Sequence, residues 1–206
     1  MSIRTGAEGE ALIGPNAILQ MVEALRGLIS DGALRALFER AGIAAYLDEP
    51  PQAMLPDLHV QRLHAVLRQS MAERDWRATC RNAGLRTADY LLANRIPAAA
   101  QRVLRWLPDA WAAALLSRAI EAHAWTFAGA GQFQWTAGKG VLQYTLRGNP
   151  VCRGASFDSP VCDYYAATFE RLFQVLVSAQ TRVSEPACEA VGSTECRFEI
   201  RLRPDR

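Results

Sequence analysis

Residues 159–203 read SPVCDYYAATFERLFQVLVSAQTRVSEPACEAVGSTECRFEIRLR. Ser159-Pro160 marks a helix start, and Tyr165, Phe169, Leu172, Phe173 and Leu176 recur behind it at helical spacing, which predicts one strong helix with a continuous apolar face. From Thr181 to Val191 and again from Glu195 to Arg203 the pattern favours strands, with Gly192-Ser193 as the turn between them. The chain therefore ends in a helix and a hairpin.

Immediately upstream the apolar residues alternate with small or polar ones: Trp125, Phe127, Phe133, Trp135, Val141, Tyr144 and Leu146. Gly129, Gly131, Gly138 and Gly140 stand where hairpin turns between three short strands need them, and Asn149-Pro150 breaks the third. The order strand-strand-strand-helix-strand-strand follows for the C-terminal half.

Earlier still, the spacing is helical. Gly14-Pro15-Asn16 opens a helix carrying Ile18, Leu19, Val22, Leu25 and Leu28, and Leu34, Leu37, Phe38 and Ala41 form a second that stops at Gly42. Pro50-Pro51 and Pro56 mark a linker before a helical region near Asp57, and Pro97 and Pro108 punctuate shorter helices that lead to one from Ala110 to about Ala122. The fold class is α+β: a helical layer, then a mostly antiparallel sheet with one helix. Residues 1–110 form the helical region, which packs on the domain of residues 111–206.

With 206 residues, 50% of them apolar and 21% charged, the chain is long enough for one well-buried core. No apolar run reaches membrane-spanning length, and Met1 to Glu10 lacks the basic-then-apolar order of a secretory signal, so a cytoplasmic location is expected. The net charge is +2 and the arginines are scattered, which argues against nucleic acid as a partner.

The chemistry lies in the cysteines. Of Cys80, Cys152, Cys162, Cys188 and Cys196, four fall in or just before the last quarter, an odd total that favours thiols or metal ligands over a disulfide framework. Cys162, Glu185, Cys188 and Cys196 sit at a helix start, a strand and the two sides of a turn, where three sulfurs and a carboxylate could complete a tetrahedral zinc shell. Ordinary buried thiols explain the spacing equally well. A four-thiolate set of Cys152, Cys162, Cys188 and Cys196 would suit an iron–sulfur cluster, although its spacing matches no defined cluster motif.

Asn149-Pro150-Val151-Cys152, Ser159-Pro160-Val161-Cys162-Asp163-Tyr164-Tyr165, Glu185-Pro186-Ala187-Cys188 and Gly192-Ser193-Thr194-Glu195-Cys196-Arg197-Phe198 together resemble the four-vinyl reductase domain, a family of small-ligand-binding domains. In the related sensory domains of phenol-responsive activators the same Cys, Glu-x-x-Cys and Cys positions hold zinc. The resemblance thus implies a structural zinc at Cys162, Glu185, Cys188 and Cys196, stapling the C-terminal hairpin. Ile13-Gly14-Pro15-Asn16-Ala17-Ile18 is similar to the start of the family's bacteriochlorophyll-biosynthesis members. That likeness implies a tetrapyrrole ligand of the Mg-protoporphyrin or divinyl protochlorophyllide type, pigment-biosynthesis enzymes as partners, a homodimer, and at most a peripheral place at the photosynthetic membrane.

The family name implies reduction of a vinyl group. Yet Gly129-Ala130-Gly131 lacks the third glycine of a dinucleotide fingerprint and lies among strands, so no donor site is evident. A carrier or accessory factor for the tetrapyrrole is the preferred expectation, with vinyl reductase as the alternative. Trp106, Trp125, Phe127, Phe133, Trp135 and Tyr144 are the candidate pocket walls, and His123 the preferred axial ligand over His59 and His64.

Overall fold

Strand β1 (Leu12–Ile13) leads through Gly14-Pro15 into α1 (Asn16–Arg26), whose Ile18, Met21, Val22 and Leu25 are buried. The computed structural model describes residues 10–138 and 140–202. Most of the polar Met1–Glu10 stretch, and the strand end expected at Arg203, lie outside them. Helix α1 buries its apolar face inside its own chain.

Ser30 caps α2 (Asp31–Arg40) by accepting the Ala33 N–H, and Gly42, with φ of 71°, turns the chain out of it. A single turn, α3 (Ala45–Asp48), and the proline linker lead to β2 (Leu55–Pro56), which pairs antiparallel with β1. Helices α4 (Asp57–Ser70), α5 (Glu73–Asn94), α6 (Ala98–Trp106) and α7 (Asp109–Ala122) complete the helical half. Pro56, Pro97 and Pro108 each stand just before a helix, where a missing N–H disrupts no helical bond.

The second half contains β3 (Gln132–Ala137), β4 (Val141–Arg147), α8 (Asp163–Leu176), β5 (Arg182–Ala187) and β6 (Cys196–Arg201). The four strands form one antiparallel sheet in the order β3-β4-β6-β5. Three strands are expected between Trp125 and Asn149, and the structure has two. The segment carrying Trp125 and Phe127 winds into a 3-10 turn (Ala124–Thr126), tied by bonds from Phe127 N–H and Ala128 N–H to the Ala124 carbonyl. Small buried Ala124 and Ala128 let this turn pack closely, so the alternation of aromatic and small residues reflects a packed turn.

Helix α8 lies between the inner face of the sheet and α5. All five apolar residues assigned to its inner face are buried. On the α5 side, a Cβ on Gly84 would collide with the Tyr164 carbonyl oxygen, so only glycine permits this backbone approach. Thr168 Oγ1 donates to the Gly84 carbonyl at 3.1 Å, and the Thr87 and Tyr164 hydroxyls meet at 2.8 Å. Buried side chains of the helical half and the sheet form one continuous core.

Candidate metal centre

Four separate pieces of chain deliver a sulfur to one end of the sheet. Cys162 is the residue before α8, Cys188 follows β5, Cys196 opens β6 on its inner face, and Cys152 comes from the loop after β4. The sulfurs stand 3.4 Å apart for Cys152–Cys196, 3.7 Å for both Cys162–Cys188 and Cys162–Cys196, and 3.8 Å for Cys188–Cys196. All four lie within 4.8 Å of one another, buried and free of disulfides, an arrangement that could hold a metal ion.

Hydrogen-bond donors converge on these sulfurs. Asn149 Nδ2 donates to Cys162 Sγ at 3.1 Å and to Cys196 Sγ at 3.3 Å, and the Glu189 N–H reaches Cys196 Sγ at 3.4 Å. Such donors favour thiolate over thiol. Hydrogen bonds from Cys152 and Cys162 hold Cys188 and Cys196 below the ordinary thiol range, whereas burial pushes Cys162 well above it. Cys152 is raised as well, so four thiolates can stand together here only beside a cation, because burial without a counter-charge restores the protons.

Glu185 sits beside the sulfurs. Its Oε2 accepts the Cys162 N–H at 2.9 Å, and its buried Oε1 has no hydrogen-bond partner among the described residues. Burial, reinforced by the charge of Cys188, pushes this carboxyl up to about 9. The register of β5 against β6 shifts between Ser184 and Ala187, so Glu185-Pro186 forms the irregular part of an edge strand, where proline is tolerated. Of the four residues read as a zinc shell, the structure brings the sulfurs of Cys162, Cys188 and Cys196 together, adds Cys152 from the alternative set, and places Glu185 on the Cys162 backbone beside them. Asn149 enters the site unheralded, since Asn149-Pro150 signals only the end of a strand.

The loop carrying Cys152 is held from several sides. Glu189 Oε1 and Oε2 accept the Gly148 and Asn149 N–H groups at 2.6 and 3.0 Å. Arg68 donates to the Val151 carbonyl at 2.9 Å, and Arg77 to the Pro160 carbonyl at 2.7 Å, so α4 and α5 buttress the loop.

The candidate pocket residues divide into two groups. Phe133 and Tyr144, 5.0 Å apart between ring centroids, pack on the inner face of the sheet with Phe127 at 5.3 Å from Phe133 and Phe169 at 5.0 Å from Tyr144. Trp135, opposite Tyr144 across the strands, is half-buried and donates to Glu121 at 3.2 Å. Trp125 is half-buried in the 3-10 turn. Trp106 is 90% exposed at the end of α6, away from the rings. His123 is exposed, with Nδ1 2.8 Å from the Ala119 carbonyl. His64 is the fully buried histidine, with Nδ1 3.6 Å from Cys80 Sγ, while His59 contacts the Tyr46 hydroxyl at 2.8 Å.

Over 188 residues, 91% of this chain and 89% of its relative, the sequence is 45% identical to the bacteriochlorophyll synthase 23 kDa chain of Cereibacter sphaeroides. The protein belongs to that family. Within it, residues 142–202 match the V4R domain, the segment from β4 through β6 that contains all four clustered cysteines. Among solved structures, an H-NOX protein from S. oneidensis in the Fe(II)NO ligation state superposes with a TM-score of 0.57 at 9% identity, covering 93% of this chain and 100% of the other. A structure described under protein-induced porphyrin distortion and heme redox potential superposes at 0.50 with 11% identity, covering 92% and 99%. These likenesses establish a shared fold. No helix among the described residues is long and apolar enough to cross a membrane.

Proposed function

We propose that this protein takes part in bacteriochlorophyll biosynthesis by binding a tetrapyrrole intermediate, of the Mg-protoporphyrin or divinyl protochlorophyllide type, as a carrier or accessory factor for pigment-biosynthesis enzymes. The observation that carries this reading is family membership over nine-tenths of the chain with a protein named as a chain of bacteriochlorophyll synthase. The fold adds support, because a protein of the same architecture is described with a heme porphyrin. Phe133 and Tyr144 are buried in the core with Phe127 packed on them, so a planar macrocycle held against these rings requires the helical layer to move aside. Residues 111–206 are the ligand domain in this proposal, and residues 1–110 the helical layer that closes it.

A structural zinc is part of the proposal. Sulfurs arranged tetrahedrally around an ion at about 2.3 Å define edges of about 3.8 Å; four of the six separations are 3.4–3.8 Å and all lie within 4.8 Å, which suits one such ion. An iron–sulfur cluster places several irons and sulfides between its ligands and needs them farther apart. Cys152 thus takes the fourth position, and Glu185 braces the Cys162 backbone beside it. With four protein ligands the ion leaves no place for substrate, so its work is to tie α8 to the terminal hairpin.

Against self-contained vinyl reduction stands the placement of Gly129-Ala130-Gly131. These residues form a turn before β3, with the Ala130 N–H given to Asp57 Oδ2 at 2.9 Å, and no helix N-terminus follows for a pyrophosphate. Purified protein titrated with divinyl protochlorophyllide, then supplied with NADPH, tests the reading. Saturable absorption changes without turnover support the carrier. A monovinyl product from this protein alone replaces it with the reductase, and absence of binding removes it. Light scattering on the same samples tests the homodimer implied by the family resemblance.

A further inference from the structure

Helices α6 and α7 leave an apolar surface uncovered. Leu104 of α6 and Ala112, Ala113 and Leu116 of α7 face the core, and the opposite side presents Trp106 at 90% exposure and Trp111 at 71%, with Val103 and Leu115 about half-exposed. Val103 and Trp106 are three residues apart and Trp111 and Leu115 four, so each pair lies on one helical face, either side of the Leu107-Pro108 turn. Tryptophan seldom stands so fully in water, because its ring is among the largest apolar groups a chain possesses.

The same stretch is basic. Residues 95–118 carry Arg95, Arg102, Arg105 and Arg118 against one carboxylate, Asp109, a net +3 in a chain whose total is +2. Each of these arginines is exposed, and none makes an ion pair among the described residues, whereas Arg77, Arg81, Arg147, Arg153 and Arg171 all do. Arg102 stands four residues before Trp106, and Arg118 three after Leu115, so positive charge borders both apolar pairs.

We propose that the α6–α7 face docks on an anionic phospholipid bilayer, with Trp106 and Trp111 seated at headgroup depth and Arg102, Arg105 and Arg118 on lipid phosphates. Indole rings favour that interface, and arginine reaches from an apolar base to the headgroups. Alanines fill much of the remaining length of both helices, which suits shallow contact. Charge argues against a second copy as the occupant, since a two-fold pairing of this face would set arginines against arginines. The proposal stands independently of the pigment reading.

The intact protein is sedimented with large vesicles of phosphatidylcholine alone and of phosphatidylcholine mixed with phosphatidylglycerol. Binding to the mixed vesicles is expected, weakened by salt and accompanied by a blue shift of tryptophan emission. Arg102→Glu/Arg105→Glu weakens it by about tenfold or more, and Trp106→Ala/Trp111→Ala weakens it and reduces the emission shift. Both variants keep the wild-type circular dichroism and thermal transition, because they alter exposed side chains. No binding to mixed vesicles at low salt overturns the proposal. So does undiminished binding by the variants, or a fall in oligomer mass of Trp106→Ala/Trp111→Ala by light scattering, which assigns the face to a second copy.

Discussion

Arg153 donates two hydrogen bonds to the Asp57 carboxylate, at 3.3 and 3.0 Å, across 96 positions of sequence. Asp57 begins α4 and is buried, while Arg153 adjoins Cys152 in the loop after β4, so one ion pair fastens the helical half to the loop that supplies a thiol. The carboxylate also accepts the Ala130 N–H, and a Cβ on neighbouring Gly129 would clash with it. Removing the acid leaves both donors without their partner. Asp57→Ala is expected to lower stability by about 2–4 kcal/mol in urea denaturation. Arg153→Ala leaves Asp57 its Ala130 donor, and a double-mutant cycle should return a coupling of at least about 1 kcal/mol.

The thiol cluster gives a prediction about metal content. Protein purified without chelator is expected to carry about one equivalent of zinc, measured by mass spectrometry of the elements. Cys162→Ser, Cys188→Ser, Cys196→Ser and Cys152→Ser each reduce it, whereas Cys80→Ser, which lies outside the cluster against His64, leaves it intact. Glu185→Gln separates the two shells: retention of zinc favours the four sulfurs, and loss comparable to that of Cys188→Ser favours Glu185 as ligand. Sub-stoichiometric zinc in every preparation of the wild type ends the metal reading.

Much of this was legible in the sequence for physical reasons. The face of α8 is written in five apolar residues at helical spacing, and the prolines before α4, α6 and α7 sit where a helix start tolerates them. The turn at Trp125–Phe127 was not, because alternation cannot distinguish a strand from a 3-10 turn whose small residues happen to fall between aromatics. Nor was Cys152's approach to Cys196, which depends on how Glu189 and Asn149 fold the intervening loop. The exposure of Trp106 likewise depends on which side of α6 meets the core, and a nine-residue helix rich in alanine leaves that open.

Two glycines inside helices make opposite predictions. Gly84 of α5 lies where a Cβ would run into the backbone carbonyl of Tyr164, and main chain on α8 cannot yield without separating the two helices. Gly32, in the first turn of α2, has nothing within 4 Å of its would-be Cβ. Gly84→Ala should therefore destabilise by about 3 kcal/mol or more through overpacking, and Gly32→Ala should stabilise by about 0.5–1 kcal/mol by lowering the freedom of the unfolded chain. Thermal melts of the two variants should bracket the wild type, and equal shifts would contradict the close approach of α5 and α8.

His64 makes stability depend on acid. It is fully buried with Nε2 unpartnered among the described residues, and burial, aided by the charge of Arg68, lowers its pKa from 6.5 to about 3. Above pH 6.5 the ring is neutral in both folded and unfolded chains, and its contribution is at its full value. As the pH falls below 6.5 the unfolded chain takes up a proton that the folded one refuses until about pH 3, so stability is lost across that window. At 1.36 kcal/mol per unit, the loss by pH 5 is about 2 kcal/mol. His64→Leu removes the proton site, and acids elsewhere in the chain affect both proteins alike. Urea midpoints measured near neutrality and at mildly acidic pH should thus show the wild type losing about 2 kcal/mol more than the variant. Coincident pH slopes would mean that His64 takes a proton as readily in the folded protein as in the unfolded chain, contrary to its buried position against Cys80.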